Sequence, residues 1–138
     1  MKKPIGLTSI TLNKTKPTAK QEDKTVANQI MKNIDLATPL ALPALVTYQA
    51  GQIVSRTLVQ NRAVSLTLFA FDTNEEISSH ESKGDAMVQI LDGKAKITIG
   101  DSVHVLSAGE TVVMPAGVPH ALEAVEPFKM LLTVIFPN

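Results

Sequence analysis

The sequence contains no cysteine and no tryptophan among its 138 residues. Without cysteine the chain forms no disulfide, thiolate metal site, iron–sulfur cluster or cysteine nucleophile. Its 13 basic and 13 acidic residues cancel, which argues against a dedicated nucleic-acid-binding protein, because such proteins present a basic surface. No apolar run approaches the roughly 18 residues that a membrane-spanning helix needs. Nucleic acids and membranes are therefore not expected as partners.

Charge is distributed unevenly along the chain. Six lysines and two acidic residues fall within residues 1–24, which gives this segment a charge of +4 and leaves −4 on the remainder. No apolar core follows these lysines, so a secretory signal is not expected, and we expect a cytoplasmic protein. Residues 1–45 are predicted to form a basic N-terminal extension that leads onto the main domain.

Part of this extension has the spacing of a short helix. Thr18 and Gln21 match a capping box. Val26, Ile30 and Ile34 then recur every four residues, as they would on one face of a helix. The sequence therefore predicts a short helix that ends soon after Ile34, before the next proline.

The remainder of the chain, residues 46–138, has the pattern of short strands separated by turns. Apolar side chains alternate with lysine or threonine between residues 94 and 99, as in a strand with one buried face. Asp92-Gly93 between two such runs is a strong hairpin signal. Strands at intervals of about 8–12 residues, with no helices between them, predict an all-β antiparallel sandwich or barrel. The predicted strands are Gln52–Gln60, Val64–Asp72, Glu75–Glu81, Ala86–Leu91, Lys94–Ile99, Ser102–Ser107, Thr111–Met114, His120–Val125 and Phe128–Phe136.

One segment matches a known family motif. Gly109, Pro115, Gly117 and His120 have the spacing Gly-x5-Pro-x-Gly-x2-His, which is the second motif of the cupin family, with Ala124 where the motif usually ends in asparagine. The chain thus resembles a small single-domain cupin, and the resemblance covers about residues 52–136. It implies a single antiparallel jelly-roll barrel over residues 46–138, with a pocket lined by the two cupin motifs.

The first cupin motif is degraded, and its departures affect the metal ligands that the resemblance implies. Metal-binding cupins typically supply His-x-His, a glutamate a few residues later and the histidine of the second motif. Here His80 and His120 match, but Ser82 replaces the second histidine and Ala86 replaces the glutamate. Asp85 adjoins the glutamate position, yet neighbouring residues of a strand point to opposite faces, so only a bulge would turn it inward. Two imidazoles form an incomplete site, which predicts at most a weakly held divalent transition metal.

The two histidines also predict a pocket that needs no metal. Burial and mutual repulsion disfavour two adjacent imidazolium ions, but a singly protonated pair beside the Ser82 hydroxyl forms a cluster of hydrogen-bond donors. Such a cluster suits a carboxylate or another small anion. The affinity for that ligand is predicted to fall as pH rises through the histidine range. The predicted ligand-binding residues are His80, Ser82, Asp85, Met114 and His120.

Other reactive arrangements have less support. His104 lies outside both motifs and is interpreted as a surface or interface side chain. Ser82 and His80 lack a Gly-x-Ser-x-Gly turn and an oxyanion hole, so a serine nucleophile is not expected. The sequence shows no acid–base pair of carboxylates and no glycine-rich phosphate loop. Catalytic residues are therefore not assigned.

Two function classes remain open at this point. One is a small-molecule-binding cupin, and the other is a metal-dependent cupin enzyme of the dioxygenase, isomerase or decarboxylase type. The run Met130–Phe136 is apolar on both faces, which calls for cover from a second layer or a second subunit. Since small cupins are commonly dimers, the resemblance implies a homodimer.

Overall fold

The computed structural model describes residues 29–138, which form an all-β domain of two facing antiparallel sheets. This confirms the predicted fold class, and each of the nine predicted strands is present to within a residue or so of its predicted ends. Within the described residues, a 3-10 helix at Leu42–Leu45 precedes the first strand. The strands are β1 (Ile53–Gln60), β2 (Val64–Phe71), β3 (Glu76–His80), β4 (Asp85–Asp92), β5 (Lys94–Ile99), β6 (Ser102–Ser107), β7 (Thr111–Met114), β8 (His120–Ala124) and β9 (Phe128–Ile135).

Strand order places sequence-distant strands side by side. The five-stranded sheet has the order β1-β2-β9-β4-β7, and the four-stranded sheet has the order β3-β8-β5-β6. Alternate residues of both sheets point into a shared apolar core. At its centre the Phe71 and Phe128 rings stack with centroids 4.4 Å apart. Because β3 and β8 are neighbours, the first and second cupin-like motifs are hydrogen-bonded to each other.

The hairpin between β4 and β5 depends on a glycine. Gly93 has a φ of +77°, a left-handed conformation that glycine adopts without a Cβ penalty. The backbone of Pro127 and Phe128 also passes so close that an added Cβ would overlap the Pro127 carbonyl oxygen. Asp92-Gly93 therefore forms a tight turn, and the backbone at the start of β9 packs directly against this turn.

Residues 29–48 cover the outer face of the five-stranded sheet. Met31 and Ile34 pack against a second apolar cluster that includes Leu58 and Leu68. The Lys32 amide donates a hydrogen bond to the Leu58 carbonyl at 2.8 Å. This layer supplies, from the chain itself, part of the cover that the two-faced apolar strands require.

The predicted helix is wrong in its described part. Residues 29–38 form bends and a turn with no helical hydrogen bonds, and the Asn33 φ of +61° interrupts any helical run. The Asn33 carbonyl accepts a hydrogen bond from Arg56 Nε at 2.7 Å, and its side-chain amide donates to the Thr57 carbonyl at 2.7 Å. Pairing with β1 thus replaces the local helix. Residues 18–28 of the predicted helix lie outside the described residues.

Tyr48 fastens this covering segment to the barrel, which gives a first prediction. Its hydroxyl donates to Asp92 Oδ2 at 2.5 Å, and Lys129 Nζ lies 5.0 Å from its ring centroid. Burial first, and then the hydrogen bond to Asp92, raise the pKa of Tyr48 above its ordinary value. Tyr48→Phe is expected to lower the free energy of unfolding by about 1–2 kcal/mol, measured by urea denaturation, because a bond to a charged acceptor is lost.

Thr38→Ala provides the matched control for that measurement. The Thr38 hydroxyl is exposed and donates to the nearby Leu36 carbonyl, so its removal is expected to change the free energy of unfolding by less than about 0.5 kcal/mol. Equal effects of the two substitutions would show that Tyr48 does not fasten the segment.

Several apolar side chains remain exposed on the outer sheet faces. Ile135 is 55% exposed and Val103 is 57% exposed, on different sheets. The homodimer stays a prediction. Within residues 29–138, no helix is long and apolar enough to cross a membrane.

Candidate functional site

His80 and His120 occupy opposite positions on two neighbouring strands. His80 ends β3 and pairs in register with His120, which begins β8. Residues opposite each other in an antiparallel pair present their side chains to the same face. His120 also pairs with Ile99, which packs against the apolar core, so this face is the interior of the barrel.

The two imidazole rings contact each other at the rim of the core. Their Nε2 atoms are 3.2 Å apart, and the rings meet edge-on with centroids 4.3 Å apart. His120 is only 2% exposed, whereas His80 is exposed. One ring therefore faces apolar surroundings while the other reaches water, and a ligand from solvent can approach the pair from the His80 side.

Backbone carbonyls fix the orientation of both rings. His80 Nδ1 lies 2.9 Å from the Ser78 carbonyl oxygen, and His120 Nδ1 lies 3.2 Å from the Val118 carbonyl oxygen. A carbonyl oxygen only accepts, so each Nδ1 must carry a proton to make these contacts. Both Nε2 atoms are consequently directed at each other.

Counting protons assigns a charge to the pair. The two Nδ1 contacts and the Nε2–Nε2 contact require three protons, but two neutral imidazoles carry only two between them. All three contacts are satisfied only when the pair holds one extra proton, and hence one positive charge, or when a cation bridges the Nε2 atoms.

The buried ring resists further protonation. Burial first, and then repulsion from His80, lower the pKa of His120 below its ordinary value, while the hydrogen bond to the Val118 carbonyl acts in the opposite direction. The pair is therefore suited to a single added proton in the absence of a ligand. A bound anion would offset the repulsion that opposes a second added proton.

The structure brings only some of the other predicted ligand-binding residues towards this pair. The Ser82 carbonyl accepts a hydrogen bond from the Gly117 amide at 2.9 Å, so the loop after β3 adjoins the turn that precedes His120. Ser82 Oγ accepts from the Gly84 amide at 3.1 Å, which leaves its own proton free to donate. Met114 is 1% exposed and pairs with Ala86 on the interior face.

Asp85 is placed differently. It is exposed, whereas the adjacent Ala86 is buried, so the two side chains leave β4 on opposite faces. Asp85 Oδ1 accepts a hydrogen bond from the Ala116 amide at 2.8 Å. No bulge turns this carboxylate inward, and it braces the turn before His120 instead of joining the imidazoles.

The described residues do not provide the ligand set for the divalent metal that the resemblance to metal-binding cupins implies. The separation of the Nε2 atoms would let both bind one ion, and their carbonyl-bound Nδ1 atoms are oriented as in metal-bound histidines. However, residues 29–138 contain no group of three or more His, Asp or Glu side chains that could hold a metal. By the resemblance to metal-binding cupins, Ala86 occupies the position of their glutamate ligand, and the described residues supply no third protein ligand.

His104 does not form a three-ligand group with the pair. It lies on β6, the edge strand of the four-stranded sheet, where it pairs with Ile97 of β5, and its side chain is exposed. This position agrees with its interpretation as a surface side chain.

Sequence reasoning missed the two carbonyls that orient the rings and a buried hydroxyl on β2. Among residues 29–138, the buried polar residues are Thr67 and His120. The polar threonine between Leu66 and Leu68 was the available signal, because the alternation of a half-buried strand predicts that it shares a face with Phe69.

Comparison with known proteins agrees with the fold and with the motif positions. The family model for the cupin domain matches residues 67–136. A conserved protein of unknown function from Streptococcus pyogenes is 47% identical, with a TM-score of 0.79 over 81% of this chain and 98% of its own. The chain belongs to the cupin family, as the resemblance predicted. No curated protein matches it.

Two further solved structures belong to the same family by their descriptions. A cupin superfamily protein from Desulfitobacterium hafniense is 33% identical, with a TM-score of 0.75 over 78% of this chain and 98% of its own. A cupin 2 conserved barrel domain protein from Leptotrichia buccalis is 38% identical, with a TM-score of 0.66 over 67% of this chain and 45% of its own. None of these descriptions names a ligand or an activity.

Proposed function

We propose that this cupin binds a small carboxylate between His80 and His120. The observation that supports the proposal is the proton count of the pair, whose three polar contacts are satisfied together when the pair holds one positive charge at the rim of an apolar core. A positive charge held beside low-dielectric surroundings attracts an anion more strongly than one in water.

A carboxylate suits the two nitrogens by shape as well as by charge. It presents two oxygens side by side, and once the anion draws a second proton onto the pair, each oxygen can accept a hydrogen bond from one Nε2–H. The Nδ1–carbonyl contacts hold both rings in place, so little side-chain freedom is lost on binding. The Ser82 hydroxyl, on the loop that adjoins the turn before His120, keeps a proton that it can donate.

The first test measures how carboxylate binding depends on pH. Butyrate is expected to raise the melting temperature at pH 5.5 and to lose this effect by pH 8, because the extra proton leaves as pH passes the histidine range near about 6.5. Butyramide has the same shape without the charge and is expected to give no shift at either pH. His120→Gln and His80→Gln are each expected to remove the butyrate shift. Equal shifts for the acid and the amide, or no shift for the acid at pH 5.5, would refute the proposal.

The stability of the ligand-free protein is expected to change with pH in the opposite direction to butyrate binding. The pKa of His120 is lowered in the folded state, so its neutral form contributes stability above about pH 6.5, and this contribution is lost as pH falls. Acidification should therefore destabilise the ligand-free protein while strengthening butyrate binding. These opposite trends separate a ligand effect from a general effect of pH on the fold.

The metal-dependent enzyme is the second function class, and the donor set gives it less support. Stabilisation of the wild-type protein by a stoichiometric divalent ion, lost in His120→Gln, would favour that class over carboxylate binding. Thermal melts with Zn2+, Mn2+ and Ni2+ in the same buffers provide this comparison.

A further inference from the structure

The turn between β7 and β8, residues 115–119, leads directly into His120. It begins and ends with a proline, so only three of its residues have a backbone amide that can hold the turn in place. The Val118 amide donates within the turn to the Pro115 carbonyl at 3.3 Å. The other two amides bind neighbouring elements, and these two bonds fix the turn against the rest of the barrel.

The Asp85 carboxylate holds the first of these amides. Ala86 and Met114 form the last backbone pair between β4 and β7. The next position of this register would place Asp85 opposite Pro115, which has no amide to donate. The side chain takes over from the backbone ladder here, because Asp85 Oδ1 accepts from the Ala116 amide at 2.8 Å. Bonds from a backbone amide to a carboxylate are stronger than those to a neutral acceptor.

The loop that follows His80 holds the second amide. The Gly117 amide donates to the Ser82 carbonyl at 2.9 Å. Ser82 Oγ in turn accepts from the Gly84 amide at 3.1 Å, which fixes the conformation of the loop between β3 and β4. The turn is therefore fastened by two successive amides to the connection between β3 and β4.

This turn carries the carbonyl that orients His120. Val118 follows the two fastened amides along the chain, and its carbonyl oxygen lies 3.2 Å from His120 Nδ1. By contrast, His80 Nδ1 contacts the Ser78 carbonyl of its own strand at 2.9 Å. The orientation of the His120 ring therefore depends on the position of the turn, whereas that of the His80 ring is set within β3.

We infer that Asp85 is a positioning residue, which holds the turn so that the Val118 carbonyl orients the His120 ring. Asp85 is exposed on the outer face of β4, so it acts through the turn and not by contact with a ligand. Its effect on binding rests on the proposed function, since His120 is one of the two imidazoles that hold the carboxylate there. A ligand binds only those molecules in which the ring is correctly oriented, so a loosened turn lowers the apparent affinity.

The first measurement is calorimetric titration of butyrate at pH 5.5. Asp85→Ala removes the bond to the Ala116 amide, so butyrate affinity should fall roughly fivefold, the factor that corresponds to one ordinary hydrogen bond. Asp85→Asn removes the charge but keeps a side-chain oxygen that accepts the same bond, so its affinity should stay within about twofold of the wild-type value.

Glu110→Ala is the matched control. Glu110 Oε1 accepts from the Ser107 amide at 2.8 Å, which is the same kind of exposed carboxylate–amide bond at the opposite end of β7. This variant should lose about as much stability as Asp85→Ala in urea denaturation, yet it should bind butyrate with wild-type affinity, because the turn before His120 is untouched.

A second measurement follows the ring itself and needs no ligand. His120 is 2% exposed, so the Nδ1 proton that bonds to the Val118 carbonyl should exchange slowly with water in 15N NMR spectra of the imidazoles. In Asp85→Ala this exchange should become roughly fivefold faster, because the turn opens more often. Asp85→Asn and Glu110→Ala should retain the wild-type exchange rate.

The outcomes separate this inference from the function on which it rests. If butyrate binds and Asp85→Ala leaves its affinity unchanged, the positioning role is refuted while carboxylate binding stands. Equal losses in Asp85→Ala and Asp85→Asn would assign the effect to charge, and equal losses in Asp85→Ala and Glu110→Ala would assign it to general destabilisation; either result overturns the inference. If butyrate does not bind the wild-type protein, the proposed function fails, and the exchange rate of the His120 proton alone decides the positioning role.

Discussion

Gly93→Ala is expected to lower the free energy of unfolding by about 4 kcal/mol, a large part of the stability of an ordinary domain. Two costs add at this residue. The left-handed conformation with φ of +77° is strained for alanine, and the new methyl group would overlap the Pro127 carbonyl oxygen. Since a backbone carbonyl cannot rotate aside as a side chain does, the β4–β5 hairpin or β9 must shift. Urea denaturation measures the change.

Gly109→Ala is the matched control for the close approach. Gly109 also has a positive φ, of +94°, but an added Cβ there would meet no atom within 4 Å. Gly109→Ala should therefore lower the free energy of unfolding by about 1 kcal/mol, which is the strain of the backbone conformation alone. If the two alanine variants lose the same stability, the close packing of Pro127 on the hairpin contributes nothing.

Ala86→Glu is expected to create a divalent metal site where the wild-type protein has an incomplete one. Ala86 is buried on the interior face, at the position where the family places its glutamate ligand. A carboxylate there would join His80 and His120 as two histidines and one carboxylate, the ligand set that holds a catalytic metal with open positions. At a metal concentration 100 times the dissociation constant, the variant should gain about 2.7 kcal/mol of stability.

The controls for this variant isolate the carboxylate and its direction. Ala86→Gln adds the same bulk without the charge, and Asp85→Glu keeps a carboxylate on the outer face. Neither is expected to respond to Zn2+ or Ni2+ in thermal melts. Without metal, Ala86→Glu should be less stable than the wild-type protein, because a buried carboxylate is costly, so recovery on adding metal is the diagnostic result. Absence of that recovery would show that Ala86 does not face the histidine pair.

The helix predicted for the N-terminal extension shows how tertiary contacts override local spacing. Ile30 and Ile34 are four residues apart, which fits one face of a helix. In the structure, Met31 and Ile34 cover the outer sheet face through an irregular segment. Hydrogen bonds to Leu58 and Thr57 on the edge strand satisfy its backbone and side chains, so no local helix is needed.

The candidate site was predictable to the extent that it depends on motif spacing. The second motif identified His120, and the family resemblance paired it with His80; the β3–β8 register brings their Nε2 atoms to 3.2 Å. The sequence did not decide which face of β4 carries the Asp85 side chain, because a β-bulge would turn that side chain inward. The uninterrupted pairing at the start of β4 leaves it outside.

The sequence alone determined the strands, the turns and the two histidine positions, because alternation, glycine-containing turns and motif spacing are local along the chain. Only the tertiary structure decided the orientation of the two imidazole rings, since it depends on which carbonyls lie against the Nδ1 atoms. Tertiary structure also decided that Thr67 is buried, between β1 and β9 in the five-stranded sheet. Hydrogen-bond partners and burial are set by pairing between distant strands, and no local pattern records that register.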